Sequence, residues 1–159
     1  MPWRAFAPAS GRQLTTLQRM FAGVPGDLDY IAENGAYVVR GDEEVSSDAL
    51  DSGLVASVVE RLRGHVAAGD LNAALVVCGK RSAYIESADP AFLTEVEKYY
   101  AKLESVPDLL AVDDQVLKLA IYDFDGGEEH TAVAFADLRE THQVVVSGLH
   151  WVDIMNATV

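Results

Sequence analysis

Apolar residues recur with a helical period near the start of the chain, and short apolar runs lie on both sides of this segment. Between residues 12 and 22 the apolar spacing of three and four predicts a helix, which the Gly-Val-Pro-Gly sequence at 23–26 ends. The apolar runs at residues 3–7 and 28–32 predict strands. A strand, a helix and a second strand in this order predict a right-handed βαβ unit with parallel strands over residues 3–33.

After residue 35 the pattern alternates between hairpins and helices. Three hairpins are predicted, by residues 36–40 with 43–45, 75–78 with 82–85, and 143–147 with 149–155. Three helices are also predicted. The first begins at a cap at Ser47 or Asp48 and ends at Gly69, the second begins at a cap at Asp89 and has an apolar stripe that reaches Leu103, and the third covers residues 128–139. A separate strand is predicted at residues 116–122. The predicted fold class is mixed α/β: a partial Rossmann-like βαβ core, then an α/β module whose mostly antiparallel sheet carries helices on one face.

The composition narrows the range of partners and compartments. The chain has 159 residues, of which 50% are hydrophobic, and a formal net charge of −13. This negative charge repels the phosphates of nucleic acids and anionic membranes, so we expect neither as a partner. The sequence has no run of about 18 uncharged apolar residues. Its one cysteine, Cys78, allows no intrachain disulfide, which favours a cytoplasmic location.

The sequence Ala9-Ser10-Gly11-Arg12 is the first candidate for chemistry. A strand that enters a helix through Ser-Gly directs a hydroxyl and several backbone N–H groups to one point, which suits a phosphate group. The alternative is that Ser10 only caps the helix and Gly11 only permits a tight turn. Asn34-Gly35 similarly predicts either a turn that lines a site or a simple turn with a left-handed residue.

These segments, in this order, resemble the Cof-type branch of the haloacid dehalogenase superfamily. Residues 9–12 resemble the family's second motif, and Ile31-Ala32-Glu33-Asn34-Gly35-Ala36 resembles its crossing from core to cap. Residues 75–80, 99–100 and 113–118 resemble cap segments, and residues 151–155 resemble the strand that leads back to the core. The resemblance implies a partial core at residues 1–35, a C2-type α/β cap at 36–150 and a returning strand at 151–159.

The resemblance also implies an activity, a cofactor and a set of site residues. Proteins of this family are Mg²⁺-dependent phosphatases of small phosphorylated metabolites, and they form an aspartyl-phosphate. By resemblance, Ser10 binds the phosphate as the second motif. The other substrate-binding candidates are Gly11, Arg12, Asn34, Gly35 and Lys80.

This sequence departs from the family pattern at the nucleophile. The family's Asp-x-Asp-Gly-Thr motif precedes the second motif, but here only nine residues precede Ser10 and none is acidic. The family's later lysine and Mg²⁺-binding acids are also not found, so no metal ligand is assigned. We therefore expect one motif and a cap cut from a longer enzyme, without phosphatase activity of its own.

Other candidate residues have structural alternatives. Asp123-Phe124-Asp125-Gly126 follows an apolar strand and has the Asp-x-Asp-Gly form, but it lies after the second motif and Gly127 replaces the threonine, so we favour an acidic turn. Lys80, with Arg81 and Tyr84, lies at a hairpin that either reaches over a substrate or is simply solvated. Trp151 and Asp153 alternate on the last strand, and we favour packing for Trp151.

A second class of function is a binding or assembly module without catalysis. Two parallel strands and one helix leave an apolar face and an open sheet edge, which favour association. This interpretation predicts a homo-oligomer that forms through the incomplete core.

Overall fold

The computed structural model describes residues 6–159 as four α-helices and nine strands. The helices are α1 (Leu14–Met20), α2 (Ser52–Ala68), α3 (Pro90–Val96) and α4 (Thr131–Ala134). The strands are β1 (Asp29–Ala32), β2 (Tyr37–Arg40), β3 (Glu43–Ser47), β4 (Ala73–Gly79), β5 (Ala83–Ile85), β6 (Leu103–Ser105), β7 (Val116–Asp123), β8 (His142–Val146) and β9 (Trp151–Asn156). Three short 3₁₀ turns lie at Glu33–Gly35, Leu109–Ala111 and Ala136–Glu140.

The strands form two sheets. The smaller sheet has the order β1-β2-β3 and is antiparallel. The larger sheet has the order β6-β5-β4-β7-β9-β8, and every neighbouring pair in it is antiparallel except β5 with β6. The predicted mixed α/β class, the three hairpins and the mostly antiparallel larger sheet are confirmed.

Helices cover both faces of the larger sheet, and not the single face that was predicted. Leu75 and Val77 of β4 belong to the buried cluster that α2 covers. Val76 and Cys78 belong to the opposite cluster, which α3 covers through Phe92. The prediction was wrong because strands buried on both faces form continuous apolar runs, and such runs carry no alternation to show which face is covered.

Helix capping explains where two helices begin. The Asp89 carboxylate accepts from the backbone N–H groups of α3, and Pro90 occupies the first helical position, as predicted. For α2 the cap is Asp51 and not Ser47 or Asp48. Asp48 instead accepts from the Asn156 side chain, which holds it outside the helix.

Two of the other predicted helices are shorter than expected. The helix predicted to reach Leu103 ends at Val96, and Leu103 begins β6. The helix predicted over residues 128–139 is α4 followed by a 3₁₀ turn.

Strand β1 has neighbours on both sides. The strand predicted at residues 3–7 falls mainly on residues that lie outside the described part of the chain. In the described part, Ala9 forms a parallel bridge with Ile31, and β2 pairs with the other side of β1. The β2–β3 hairpin therefore extends the sheet of β1, and the predicted division at residue 35 falls inside this sheet. Strand β9, which by resemblance was expected to lead back to the core, lies between β7 and β8 in the larger sheet.

Among residues 6–159, none of the helices combines the length and the apolar composition needed to cross a membrane.

Candidate functional site

A cleft of about 430 Å³ lies between the Ser-Gly turn and the larger sheet. Four predicted site residues line it: Ser10, Gly11, Arg12 and Asn34. From the side of the larger sheet it is lined by residues that include Glu95, Tyr99, Tyr100, Lys118, Trp151 and Asp153. The cleft therefore brings together the turn near the start of the chain and residues from α3, β7 and β9.

The Ser-Gly turn, residues 10–12, is fixed by backbone hydrogen bonds to the segment at the end of β1. The Ser10 N–H donates to the Ile31 carbonyl at 2.9 Å, and the carbonyls of Ser10 and Arg12 accept from the N–H groups of Asn34 and Glu33, each at 3.1 Å. Helix α1 begins only at Leu14, so the alternative in which Ser10 only caps this helix is wrong. The Ser10 hydroxyl oxygen instead accepts from the Arg12 N–H at 3.2 Å. The candidate phosphate site is thus a turn and not a helix end.

Position 11 requires a glycine because the Asn34 side chain lies against it. A Cβ atom at Gly11 would lie 2.5 Å from the Asn34 Oδ1 atom. Asn34 itself has a φ of 59° and Glu33 a φ of 50°. This left-handed conformation is tolerated by asparagine but costs a residue such as glutamate about 1–2 kcal/mol. Backbone strain of this kind is typically found at functional sites.

Lys118 of β7 reaches this turn from the larger sheet. Its Nζ atom donates to the Gly11 carbonyl at 2.8 Å and lies 2.9 Å from Oε2 of Glu33. Asp153 of β9 lies 3.8 Å from the same ammonium group. Lys118, Glu33 and Asp153 are only 3%, 2% and 5% exposed. Three charged side chains from separate parts of the chain therefore meet in the interior.

The charges of this group depend on one another. Burial alone would lower the pKa of Lys118, but the attraction of Glu33 and Asp153 outweighs burial and raises it. Burial raises the pKa of Glu33, although Lys118 partly opposes the shift. One buried ammonium is thus shared by two carboxyl groups.

Neither Lys118 nor Glu33 was singled out from the sequence as a site residue. The signal that could have found Lys118 is the lysine within the apolar run Val-Leu-Lys-Leu-Ala-Ile, together with the aspartate of Trp-Val-Asp-Ile-Met. A charged residue in a buried strand requires a partner, because an unpaired buried charge is strongly destabilising.

An aromatic wall forms the other side of the cleft. The Arg12 guanidinium lies 5.6 Å from the centre of the Tyr99 ring. Tyr99 and Trp151 pack edge to face with ring centres 5.9 Å apart, so Trp151 both packs, as predicted, and lines the cleft. This wall gives the cleft an apolar surface beside the cationic turn.

Helix α1 is tied to the loop that precedes β6. The Gln13 side chain donates to the Lys102 carbonyl at 2.8 Å and accepts from the Lys102 N–H at 2.9 Å. Thr16 makes a similar pair of hydrogen bonds with Tyr99 and Ala101, each at 3.0 Å. These contacts fix the turn side of the cleft relative to the aromatic wall.

Two predicted substrate-binding residues are not among the described residues that line the cleft. The Lys80 ammonium lies 3.1 Å from both carboxylate oxygens of Glu44 and 5.6 Å from the centre of the Tyr37 ring. Lys80 therefore connects the β4–β5 hairpin to the smaller sheet. Gly35 has a φ of 98°, and Val159 is the neighbour of its would-be Cβ, at 3.7 Å. Its role in the structure is the turn.

Asp123, the last residue of β7, is a structural residue that holds the turn after this strand. Its carboxylate accepts from the Asp125 N–H at 2.9 Å and from the Thr131 hydroxyl at 2.8 Å, and the residue is 0% exposed. A fully enclosed carboxylate cannot reach a substrate phosphorus atom. The favoured interpretation of Asp123-Phe124-Asp125-Gly126 as an acidic turn therefore agrees with the geometry.

The described residues do not fit a magnesium site. Within residues 6–159 no group of three or more His, Cys, Asp or Glu residues is placed to hold a metal ion. Glu33 and Asp153 lie near the cleft, but both face the Lys118 ammonium. A carboxylate neutralised in this way is a poor ligand for a second cation.

The fold agrees with comparisons to known proteins. The chain belongs to the haloacid dehalogenase-like hydrolases, a family that matches residues 5–159. It is a member of the Cof-type branch of phosphatase-like proteins. One relative is the Escherichia coli 5-amino-6-(5-phospho-D-ribitylamino)uracil phosphatase YbjI, which is 32% identical over 117 residues, or 73% of this chain and 41% of the relative.

Two solved structures share the fold. A haloacid dehalogenase-like hydrolase from B. subtilis aligns with a TM-score of 0.78 at 12% identity, over 98% of this chain and 62% of its own. The phosphatase BT1666 from Bacteroides thetaiotaomicron aligns with a TM-score of 0.71 at 18% identity, over 96% of this chain and 54% of its own. The chain thus spans between about four and six tenths of the length of these relatives.

Proposed function

We propose that this chain supplies the phosphate-positioning turn and the substrate-covering cap of a phosphatase that acts on small phosphorylated metabolites. The observation that carries the proposal is the single cleft that Ser10, Gly11 and Arg12 share with Tyr99 and Trp151. The name of the E. coli relative, whose substrate is a phosphorylated ribitylamino-uracil, supports the substrate class. The buried thiol of Cys78 is consistent with a cytoplasmic location, which is part of the proposal.

Each residue of the turn has a defined task in this proposal. The Ser10 hydroxyl donates a hydrogen bond to a phosphoryl oxygen, and the Gly11 N–H group provides a second donor. The Arg12 guanidinium adds positive charge to the same group. The aromatic wall covers the rest of the ligand and excludes water, which strengthens these polar contacts.

We propose further that the residues described here bind phosphate esters without hydrolysing them. Attack on phosphorus by a carboxylate requires an accessible, unpaired carboxylate near the phosphate. Glu33 and Asp153 are held by Lys118, and Asp123 is enclosed. The Glu95 carboxylate, which also lines the cleft, is paired with Lys98 at 2.7 Å.

Binding and turnover can be measured on the same protein. We expect inorganic phosphate to bind saturably in a calorimetric titration, and Ser10→Ala and Arg12→Met each to weaken binding by about fivefold or more. The matched control is Arg19→Met, which removes an exposed arginine of the neighbouring helix α1. A wild-type protein that binds phosphate no better than Ser10→Ala would contradict the binding proposal.

Turnover of p-nitrophenyl phosphate with Mg²⁺ tests the second part of the proposal. We expect no hydrolysis above that of the Ser10→Ala variant. Hydrolysis that survives purification and disappears in Asp123→Asn would show that Asp123 is the nucleophile and that the assignment of a structural turn is wrong.

A further inference from the structure

We propose that Lys118 is a positioning residue for the Ser10 hydroxyl and that it acts through the peptide group between Gly11 and Arg12. The proposal rests on the proposed function in one respect, namely that Ser10 binds the phosphoryl group. It gives the larger sheet a direct part in shaping the phosphate turn. The contact between Lys118 and Gly11 spans 107 residues of the sequence.

The geometry of one peptide group connects the two side chains. A trans peptide is planar, and its C=O and N–H bonds point in opposite directions. The carbonyl of the Gly11–Arg12 peptide accepts from the Lys118 Nζ atom at 2.8 Å. The N–H of the same peptide donates to the Ser10 Oγ atom at 3.2 Å. The ammonium group therefore sets the plane of the peptide, and the opposite end of that plane holds the hydroxyl oxygen.

This arrangement determines how Ser10 can bind a phosphate. A serine hydroxyl has one proton to donate and two positions that accept. The Arg12 N–H occupies one accepting position, which leaves the proton to donate to a phosphoryl oxygen. If the peptide rotated, its carbonyl could turn toward the cleft, where its partial negative charge would repel the ligand. Lys118 thus favours the orientation in which the turn offers donors.

The surroundings of Lys118 make it a rigid anchor. The residue lies in the long central strand β7, between β4 and β9. Its ammonium group is held by Glu33 at 2.9 Å and by Asp153 at 3.8 Å. Glu33 itself belongs to the segment that is hydrogen-bonded to the turn. The lysine therefore contacts both segments that form the phosphate side of the cleft, namely the Ser-Gly turn and the segment after β1 that contains Glu33.

Hydrogen exchange of the Arg12 amide tests the relay without any ligand. We expect about tenfold faster exchange of this amide in Lys118→Met, and a similar increase in Ser10→Ala, because either change weakens the restraint on the same peptide. The Ser10 amide, which donates to Ile31, serves as an internal reference and should change much less. Lys118→Met leaves buried carboxylates unpaired and could prevent folding. A double variant that combines Lys118→Met with Glu33→Gln removes one of these charges and serves as the second test protein. Unchanged Arg12 exchange in a folded form of either variant would overturn the proposal.

Phosphate affinity in a double-mutant cycle separates positioning from general stabilisation. Lys118→Met should weaken binding of inorganic phosphate about tenfold in the wild-type background but less than about twofold in the Ser10→Ala background. A purely structural role would give the same loss in both backgrounds, and that result would contradict the relay. Arg40→Met, which removes an exposed cation from the smaller sheet, is the matched control and should leave affinity unchanged.

The two proposals fail in different ways. If the wild-type protein binds no phosphate, the proposed function is wrong, while the exchange of the Arg12 amide still decides whether Lys118 orients the turn. If phosphate binds and Ser10→Ala weakens it, but Lys118→Met behaves as the control does, only the positioning role is wrong.

Discussion

At the scale of single residues, the site depends on close approach between Gly11 and Asn34. The Asn34 side chain occupies the space where any other residue would place its Cβ at position 11. Asn34 is also held in a left-handed conformation by the hydrogen bond from its N–H to the Ser10 carbonyl. The shape of the turn is therefore set by one missing side chain and one strained residue.

Gly11→Ala should damage both the fold and the site. The new methyl group must displace Asn34, so we expect a loss of about 1–3 kcal/mol in the free energy of unfolding, together with a several-fold loss of phosphate affinity. Urea unfolding and phosphate titration measure the two effects. Gly23→Ala is the control, because no atom lies within 4 Å of the added methyl group. Equal behaviour of the two variants would mean that the turn can absorb a methyl group.

At the scale of elements, α2 is tied to two loops by an ion-pair network. Arg63 of α2 donates hydrogen bonds to Glu86, which follows β5, and to Asp108, which precedes a 3₁₀ turn. Hydrogen bonds from Arg63 lower the pKa of both carboxyl groups. The network therefore connects the helix to the part of the larger sheet that lies farthest from β8.

The contribution of this network should depend on pH. Because the folded-state pKa values of Glu86 and Asp108 are lowered, the network stabilises the fold above the ordinary value of 4.5 for a glutamate and loses this effect as the pH falls through the folded-state values. Arg63→Gln should thus lower the free energy of unfolding at neutral pH and have little effect at about pH 2. Urea unfolding at both pH values measures the difference. A gap between wild type and Arg63→Gln that does not shrink in acid would show that Arg63 acts through packing alone.

The elements also show which features the sequence could predict. Helix caps such as Asp89 with Pro90, and the three hairpins, are local features, so neighbouring residues were sufficient to predict them. Other features depend on contacts between distant segments. These are the pairing of β1 on both of its edges, the position of β9 between β7 and β8, and the covering of the larger sheet by helices on both faces. No local pattern encodes such contacts.

The candidate site follows the same rule. Ser10, Gly11, Arg12 and Asn34 lie in short motifs that made them candidates, and all four line the cleft. The ion pair of Lys80 with Glu44 was not predicted, because the sequence of a hairpin turn does not reveal which distant residue lies beside it. Lys118 was missed because its partners Glu33 and Asp153 lie far from it in the sequence.

At the scale of the whole molecule, polar contacts join the two sheets. Lys80 pairs with Glu44 of β3, Gln13 bonds to the chain before β6, and Lys118 bonds to the Ser-Gly turn. The smaller sheet has its own modest cluster of buried residues, around Leu17, Tyr30 and Val39. Three strands and one short helix bury little apolar surface, so the smaller sheet depends on the larger one.

Unfolding should therefore be a single cooperative transition. The methyl signals of Val39 in the smaller sheet and Ile121 in the larger sheet report on the two parts separately. We expect both NMR signals to disappear at the same urea concentration. Earlier loss of the Val39 signal would mean that the smaller sheet unfolds independently.

The bond between Lys118 and the Gly11 carbonyl bears on how proteins of this family could be recombined. In the proposed function the larger sheet belongs to the part of the chain that covers the substrate, which makes it a natural unit to exchange between relatives. Yet β7 of this sheet supplies a donor to the backbone of the phosphate turn. A chimera would inherit an intact turn only if the incoming sheet also carried a hydrogen-bond donor of the right reach at that position of its central strand.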